Sequence, residues 1–412
     1  MKILLIHQYF LEQDDPGGSR FNEMTLLWCD EGHEVTVVCG MFNYLTGTVP
    51  VKYKGLSFHR SSYADRLSVL RCFVSPNYYK GFLGRLWAYF SFVGYACWGT
   101  AFKLKNEKYD VIIATSPPLF IGIVAWVASK IKQIPFVFEV RDLWPESAIE
   151  TGVLTNKIII KMSLWLEKMS YKKSFLINVL TPAFKDRLVS TKNVPGDKII
   201  MIPNACDFRL SDDLLKNFDA EGLKKELGWE DKFVIVYVGV HGVANHLDQL
   251  LDAAEQLQHT STHFVLIGDG AQKKNLVAES QRRKLTNVQF IDPMPKREVM
   301  KYIMAADVGA SVLKKVDTFG TIYSNKTFDY MACKRPVLML IDGVSRKLVE
   351  DANCGMYAEP ENTKAIVSAI EHLKTNAIPW GENGYQFAKT NFDREVLAIE
   401  YISLIQLHLK GV

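Results

Sequence analysis

The chain has 412 residues, of which 48% are hydrophobic and 23% charged, with 15 Pro and 26 Gly. That balance excludes a wholly disordered or collagen-like chain and is enough for two or three domains. A net charge of only +4 argues against a bulk nucleic-acid binder, and seven Cys without a Cys-x-x-Cys spacing argue against a disulfide framework or a zinc site, so a reducing cytoplasm is the expected setting.

In chain order, Lys2-Ile-Leu-Leu-Ile reads as a strand rather than a secretory leader, because His7 and Gln8 interrupt the apolar run. Further strands are expected at 35–39, 111–114, 136–140 and 175–180 in the first half. In the second half they are expected at 199–202, 233–239, 263–267, 288–291, 307–312 and 336–340. Many are continuous Val/Ile/Leu/Phe runs without period-2 alternation, as strands buried on both faces should be. Helical spacing separates them at 20–31, 120–132, 155–172, 246–257, 272–283, 296–305 and 362–374. This is the βαβ pattern of doubly wound parallel sheets, an α/β fold. The pattern restarts after the polar stretch 211–231, where Phe233-Val-Ile-Val-Tyr-Val-Gly opens a second unit. The expected division is 1–207, 208–385, and a C-terminal helix within 386–412 packing back on the first domain. Two such sheets would face each other across a cleft, with ligands outside the carboxyl ends of the strands.

Leu86 to Phe102 carries no charge and is rich in aromatic residues, but is short for a membrane span and is expected to be a core or docking helix. Between residues 51 and 85 seven basic residues (Lys52, Lys54, Arg60, Arg66, Arg71, Lys80, Arg85) accompany one acid, Asp65. A basic stretch beside an aromatic helix suits an anionic membrane surface; a solvated loop beside a buried helix is the other reading.

The loops after the strands carry the candidate chemistry. Gly17-Gly18-Ser19-Arg20 enters a helix, where paired glycines admit close approach to a ligand; a plain turn and cap is the alternative. It lacks the Gly-x-Gly-x-x-Gly dinucleotide fingerprint. Arg141-Asp142-Leu-Trp144 follows a buried strand: Arg141 suits an anion, Asp142 a sugar hydroxyl and Trp144 a flat apolar face, unless Arg141 and Asp142 form a structural pair. His241 sits between small residues as a donor to a phosphate oxygen or as a structural imidazole, and Gly268-Asp269-Gly270 is either a close-approach turn or an ordinary one. The strongest signal is Thr321-Ile-Tyr-Ser324-Asn325-Lys326-Thr-Phe-Asp329, a loop feeding a helix. Free N–H groups there, with Lys326 beside them, suit a diphosphate, and Asp329 one turn in suits the hydroxyls of a ribose; a capped amphipathic helix is the other reading.

These segments together resemble the retaining glycosyltransferase family 4, of GT-B fold, in bacterial O-antigen, capsule and exopolysaccharide assembly, including enzymes that transfer N-acetylfucosamine-type sugars. The resemblance spans nearly the whole chain. It is carried by Gly17-Gly18, Val179-Leu-Thr-Pro-Ala-Phe, Ile202-Pro-Asn-Ala-Cys-Asp, Val265-Leu-Ile-Gly-Asp-Gly, Ser324-Asn-Lys-Thr-Phe-Asp-Tyr-Met-Ala and the Val-Arg-Asp-Leu-Trp-Pro segment ending at Pro145. The resemblance implies that Asp329 is the ribose-binding acid closing a Glu-x7-Glu motif whose first position is here Thr321. The family's Arg and Lys after the first strand of the second domain are replaced by Gly239-Val-His-Gly, leaving the diphosphate to Lys326, His241 and helix dipoles. Its sugar-contacting His is replaced by Arg141-Asp142.

The same resemblance implies a retaining transfer from a nucleotide-sugar, UDP-linked and with an N-acetylated amino sugar as one candidate, to a polyprenyl-diphosphate-linked or glycan acceptor, without a metal or other cofactor. The expected donor site is Gly17, Gly18, His241, Gly268, Asp269, Gly270, Thr321, Ser324, Asn325, Lys326 and Asp329. The acceptor site is Ser19, Arg20 and Trp144, with Arg141, Asp142 and Lys326 catalytic. The expected location is cytoplasmic, peripheral on the inner face of the membrane through 51–102. A non-hydrolysing UDP-sugar epimerase and an inactive binding subunit share the architecture and are the alternatives.

Overall fold

The computed structural model describes residues 1–13, 15, 20–43, 48–79 and 81–411. Gly17, Gly18 and Ser19, and Lys80 of the basic stretch, lie outside them. The chain forms two compact units, one comprising Met1–Gln13, Gly18–Ile202 and Leu397–Val412, the other Pro203–Val396.

The first unit holds strands β1 (Lys2–Ile6), β2 (Glu34–Gly40), β3 (Phe58–Ala64), β4 (Leu67–Cys72), β5 (Val111–Ser116), β6 (Phe136–Val140), β7 (Leu176–Val179) and β8 (Ile199–Met201). They form one sheet in the order β3-β4-β2-β1-β5-β6-β7-β8. All neighbours are parallel except β3 and β4, which form an antiparallel pair at the edge. Strands β1, β2, β5 and β6 are buried along almost their whole length, so both faces of the central sheet are covered and the unbroken apolar runs are explained. Ile199–Met201 pairs with β7 and closes this sheet, inside the expected first domain 1–207.

The second unit holds β9 (Phe233–Val238), β10 (Thr262–Ile267), β11 (Val288–Ile291), β12 (Val308–Val312), β13 (Val337–Leu340) and β14 (Gly355–Tyr357). They form an all-parallel sheet in the order β11-β10-β9-β12-β13-β14. Strand β9 sends Val234 and Val236 into one core and Ile235 and Tyr237 into the other. The chain moves outward from β9 through β10 and β11, then returns to lay β12 on β9's other side. The carboxyl ends of β9 and β12 are therefore the topological switch point of this sheet.

The unit boundary lies at 202/203, earlier than the expected 207/208, because Cys206 is already tied into the second unit: its N–H donates to Phe392 O (2.8 Å), and its carbonyl accepts from Arg394 N–H (3.0 Å). The end of the chain is two helices, Trp380–Asn391 and Arg394–Lys410, and only from Leu397 does it belong to the first unit. There the Trp28 indole N–H donates to Ala398 O (2.9 Å), and the Trp28 and Tyr401 rings meet edge to face.

Candidate functional site

In the second unit three short segments converge at the switch point. The first leaves β9 as Gly239-Val240-His241, and the second leaves β10 as Gly268-Asp269-Gly270. They run against each other as backbone: His241 N–H donates to Asp269 O and Gln272 N–H to His241 O, both at 2.9 Å. A Cβ on Gly268 would lie 1.9 Å from Gly239 O, and Gly268 has φ +143°, so only glycine fits. Asp269 is turned outward, its carboxylate accepting from Gly270 N–H (2.7 Å).

His241 is fully buried, and neither ring nitrogen has a hydrogen-bond partner. Burial, reinforced by the Lys273 charge, lowers it to about 4, so the imidazole is neutral near pH 7. A buried imidazole without a partner is costly unless a ligand supplies one.

The third segment is the helix Asn325–Ala332. Ser324 stands at its N-cap without a side-chain cap bond; its own N–H donates to Ser345 Oγ (3.3 Å). The helix start therefore keeps N–H groups that no side-chain cap takes up. Lys326 is half-buried, its Nζ 4.9 Å from the centre of the Tyr237 ring and its Cε against Gly239. The Tyr237 ring in turn lies 6.0 Å from that of His241. Burial pulls the Lys326 ammonium down to about 8, and Asp329, one turn along, opposes the shift. Tyr330 fixes this helix to the sheet: its hydroxyl accepts from Val238 N–H (3.2 Å) and donates to Ala310 O (3.1 Å). Gly309 makes room for that ring. Asn325 is exposed at the helix start. Thr321 closes the 3-10 turn Asp317–Thr321 by donating to Thr318 O (2.6 Å), and it brings no carboxylate.

Residues 17–205 match a family described as a glycosyl transferase 4-like domain, and residues 219–387 match the glycosyl transferases group 1. The chain is a glycosyltransferase of the GT-B fold. Among curated relatives it is similar to the putative colanic acid biosynthesis glycosyl transferase WcaI of Escherichia coli K12, 21% identical with 98% of this chain and 100% of WcaI covered. Among solved structures it is similar to sucrose-phosphate synthase from Thermosynechococcus elongatus (TM-score 0.76, 16% identity, 100% of both chains). It is also similar to HepE of Anabaena in complex with UDP-glucose (TM-score 0.72, 18% identity, 98% of this chain and 99% of HepE).

The glycosyltransferase's first unit distributes the other expected residues unevenly. Arg20 is buried and bonded to the fully buried Glu139 through Nε and Nη2 (3.3 Å each) and to Ile202 O (2.9 Å). Thr115 and Asn178 also donate to Glu139, so Arg20, expected at the acceptor, belongs to a buried structural network. Arg141 and Asp142 follow β6 directly. Burial pushes the Asp142 carboxyl up, while the Ser147 hydroxyl, 3.0 Å away, opposes the shift. His7, at the end of β1, is held well below its ordinary value by burial and by the Arg141 charge. Trp144 lines an apolar cavity of about 90 Å³ with Leu86, Phe120, Leu154 and Ile159 among its walls.

The basic stretch before the aromatic helix is less free than its composition implies. Lys52 and Arg71 both pair with Glu12 (3.3 and 2.9 Å), Arg60 with Glu107 (2.6 Å), and Arg66 leans on Asp65 (3.8 Å). Glu12 and Glu107 come from outside the 51–85 window, where a local charge count does not see them. The helix Gly81–Trp98 buries Ala88, Phe92 and Ala96 and exposes Leu83, Trp87 and Phe90. No helix among the described residues is long and apolar enough to cross a membrane.

Tyr237, Tyr330 and Lys273 were not singled out from the sequence. The available signal is the single hydroxyl-bearing residue in the apolar run Phe233-Val-Ile-Val-Tyr237-Val, because a Tyr at the next-to-last position of a buried strand lies near the ligand end of the sheet.

Proposed function

We propose that the enzyme transfers a sugar from a UDP-linked donor, with retention of anomeric configuration, to a lipid-linked or glycan acceptor in polysaccharide synthesis. One observation carries the donor assignment: Lys326 at an uncapped helix start, stacked on Tyr237 and backed by the buried, unpartnered His241. When the sugar–phosphate bond breaks, negative charge collects on the departing diphosphate. A fixed ammonium and helix N–H groups stabilise that charge without reorganising. His241, neutral, donates one N–H to a phosphate oxygen in place of a cation. Asp329 takes the ribose hydroxyls, and the glycines at 239, 268 and 270 let the two loops pack closely against each other and against Lys326 at the edge of that site. In the first unit we assign Arg141 to an anionic group of the acceptor and Asp142 to one of its hydroxyls. The names of relatives support the substrate class: WcaI is named for colanic acid biosynthesis, and HepE was solved with UDP-glucose.

The charge on the leaving group is met by Lys326 and the helix, so no metal is required in this reading. Contact with an anionic membrane belongs to the same proposal. It is supported by exposed Trp87, Phe90, Trp98 and Phe102 within 51–102, rather than by the paired basic residues before them.

The test is UDP titration followed by turnover of a UDP-sugar panel with and without acceptor, in EDTA. Saturable UDP binding, acceptor-dependent turnover insensitive to EDTA, and an anomeric NMR signal that keeps the donor's configuration are the expected results. Conversion of the donor to its epimer without acceptor would replace this reading with the epimerase, and absence of UDP binding would replace it with an inactive subunit.

A further inference from the structure

The apolar cavity of the first unit has a chemistry that the donor site does not explain. Its walls come from the helix Gly81–Trp98 (Leu86, Tyr89), the turn Pro117–Phe120, the segment Trp144–Leu154 and Ile159 at the start of the helix Lys157–Lys173. One cation stands among these walls. Arg85 is half-buried, with its guanidinium 5.3 Å from the Tyr78 ring. Its Nε is buried without a hydrogen-bond partner, and no carboxylate among the described residues pairs with it. A guanidinium at an apolar cavity, without its own counter-ion, suits an amphiphile with an anionic head and a hydrocarbon tail. The cavity's 90 Å³ is smaller than the roughly 150 Å³ apolar cavities that hold a benzene ring, so it admits one short segment such as a branched five-carbon unit and not a whole hydrocarbon tail.

The surroundings point the same way. Val153, a wall residue, is 54% exposed, so the cavity opens to the surface. The two helices that flank it expose Trp87 (60%) on one and Ile158 (71%) on the other. Lys157 and Lys161, beside Ile158, have no carboxylate partner among the described residues. A long lipid whose first unit enters the cavity is thus bordered by apolar and cationic side chains.

We propose that this cavity holds the head-proximal isoprene unit of a polyprenyl diphosphate, with Arg85 on its diphosphate. The inference rests on the lipid-linked acceptor reading above and places that acceptor's lipid in the fold.

The test uses the full chain and farnesyl diphosphate, a soluble short isoprenyl diphosphate, followed by calorimetry and tryptophan fluorescence. Farnesyl diphosphate is expected to bind at least about tenfold tighter than inorganic pyrophosphate, to change tryptophan fluorescence, and not to be displaced by UDP. Arg85→Gln is expected to weaken it about 10- to 100-fold, the range of a charge-assisted hydrogen bond. Ala148→Leu, which fills the cavity, and Val153→Asp, at its exposed mouth and so without risk to the core, are expected to weaken it while UDP affinity stays unchanged. Equal affinity for pyrophosphate, displacement by UDP, or indifference to both cavity variants would overturn the proposal. So would binding to phosphatidylglycerol vesicles with no affinity for farnesyl diphosphate, which would make this face a general lipid surface. UDP binding is read separately, so failure here leaves the donor site standing, and failure there is visible on its own.

Discussion

Lys326 is placed where function and stability pull in opposite directions. Its surroundings lower it to about 8, so near neutrality the folded protein holds an ammonium that the site, without an anion, disfavours. Between about 8 and its ordinary 10.5 the unfolded chain keeps the proton that the folded one has released, so this lysine's contribution to stability rises with pH through that window; below 8 it is flat and unfavourable. Lys326→Met should therefore leave the melting temperature of the unliganded protein unchanged or raised, while weakening UDP binding by about 10- to 100-fold, the loss of one charge-assisted contact. Wild-type UDP affinity should also fall as pH rises through about 8, and that fall should vanish in the variant. Calorimetric titration from pH 7 to 9 checks both; a variant that loses stability and binding together would make Lys326 structural. Arg20 is the contrasting case. In sequence both are single cations near a helix start, but Arg20 meets Glu139, distant along the chain and fully buried.

The loops after β9 and β10 and the helix Asn325–Ala332 act as a set, because the two loops are bonded to each other backbone to backbone and the buried Tyr330 hydroxyl ties the helix to the sheet beside them. The sequence made this part legible: the restart at 233–239, the Gly268-Asp-Gly270 turn and the Ser324–Asp329 helix start all stand where expected. Runs of Val, Ile and Leu long enough to be buried on both faces have few other uses. Less was legible where long-range partners decide. The edge strand β3 lacks the signature of a central strand because Phe58-His-Arg-Ser-Ser-Tyr-Ala is half-exposed and polar, and Ser68 and Arg71 break the apolar run of its partner β4 although β4 is buried. The charge of residues 51–85 was legible, but not its pairing with Glu12 and Glu107. Gly268→Ala tests the set directly. The added methyl meets Gly239 O, and its backbone conformation alone costs about 1–3 kcal/mol. The expected outcome is a lowered melting temperature together with weakened UDP binding, measured by thermal melts and titration on one preparation. Gly242→Ala, whose Cβ would come no nearer than 3.3 Å to a side-chain atom, should disturb both much less.

Each unit buries an imidazole at the carboxyl end of its first strand: His7 after β1 and His241 after β9. Both are held below the ordinary 6.5, chiefly by burial and then by a nearby cation, Arg141 in one unit and Lys273 in the other. A histidine held neutral in the fold but free to take a proton when unfolded contributes stability that is complete above 6.5 and is lost as pH falls toward its folded value. For His241 that window runs from 6.5 down to about 4. Because both units carry such a group, acidification should weaken both together rather than strip one from the other. Thermal melts at pH 7.5 and pH 5 should show a marked fall for the wild type. His7→Gln and His241→Gln should each lessen the drop, and the double variant more than either, since a neutral amide has no proton to gain. If neither substitution changes the drop, the acid sensitivity lies in the carboxylate pairs instead. In that case the two imidazoles matter only for what they offer a ligand.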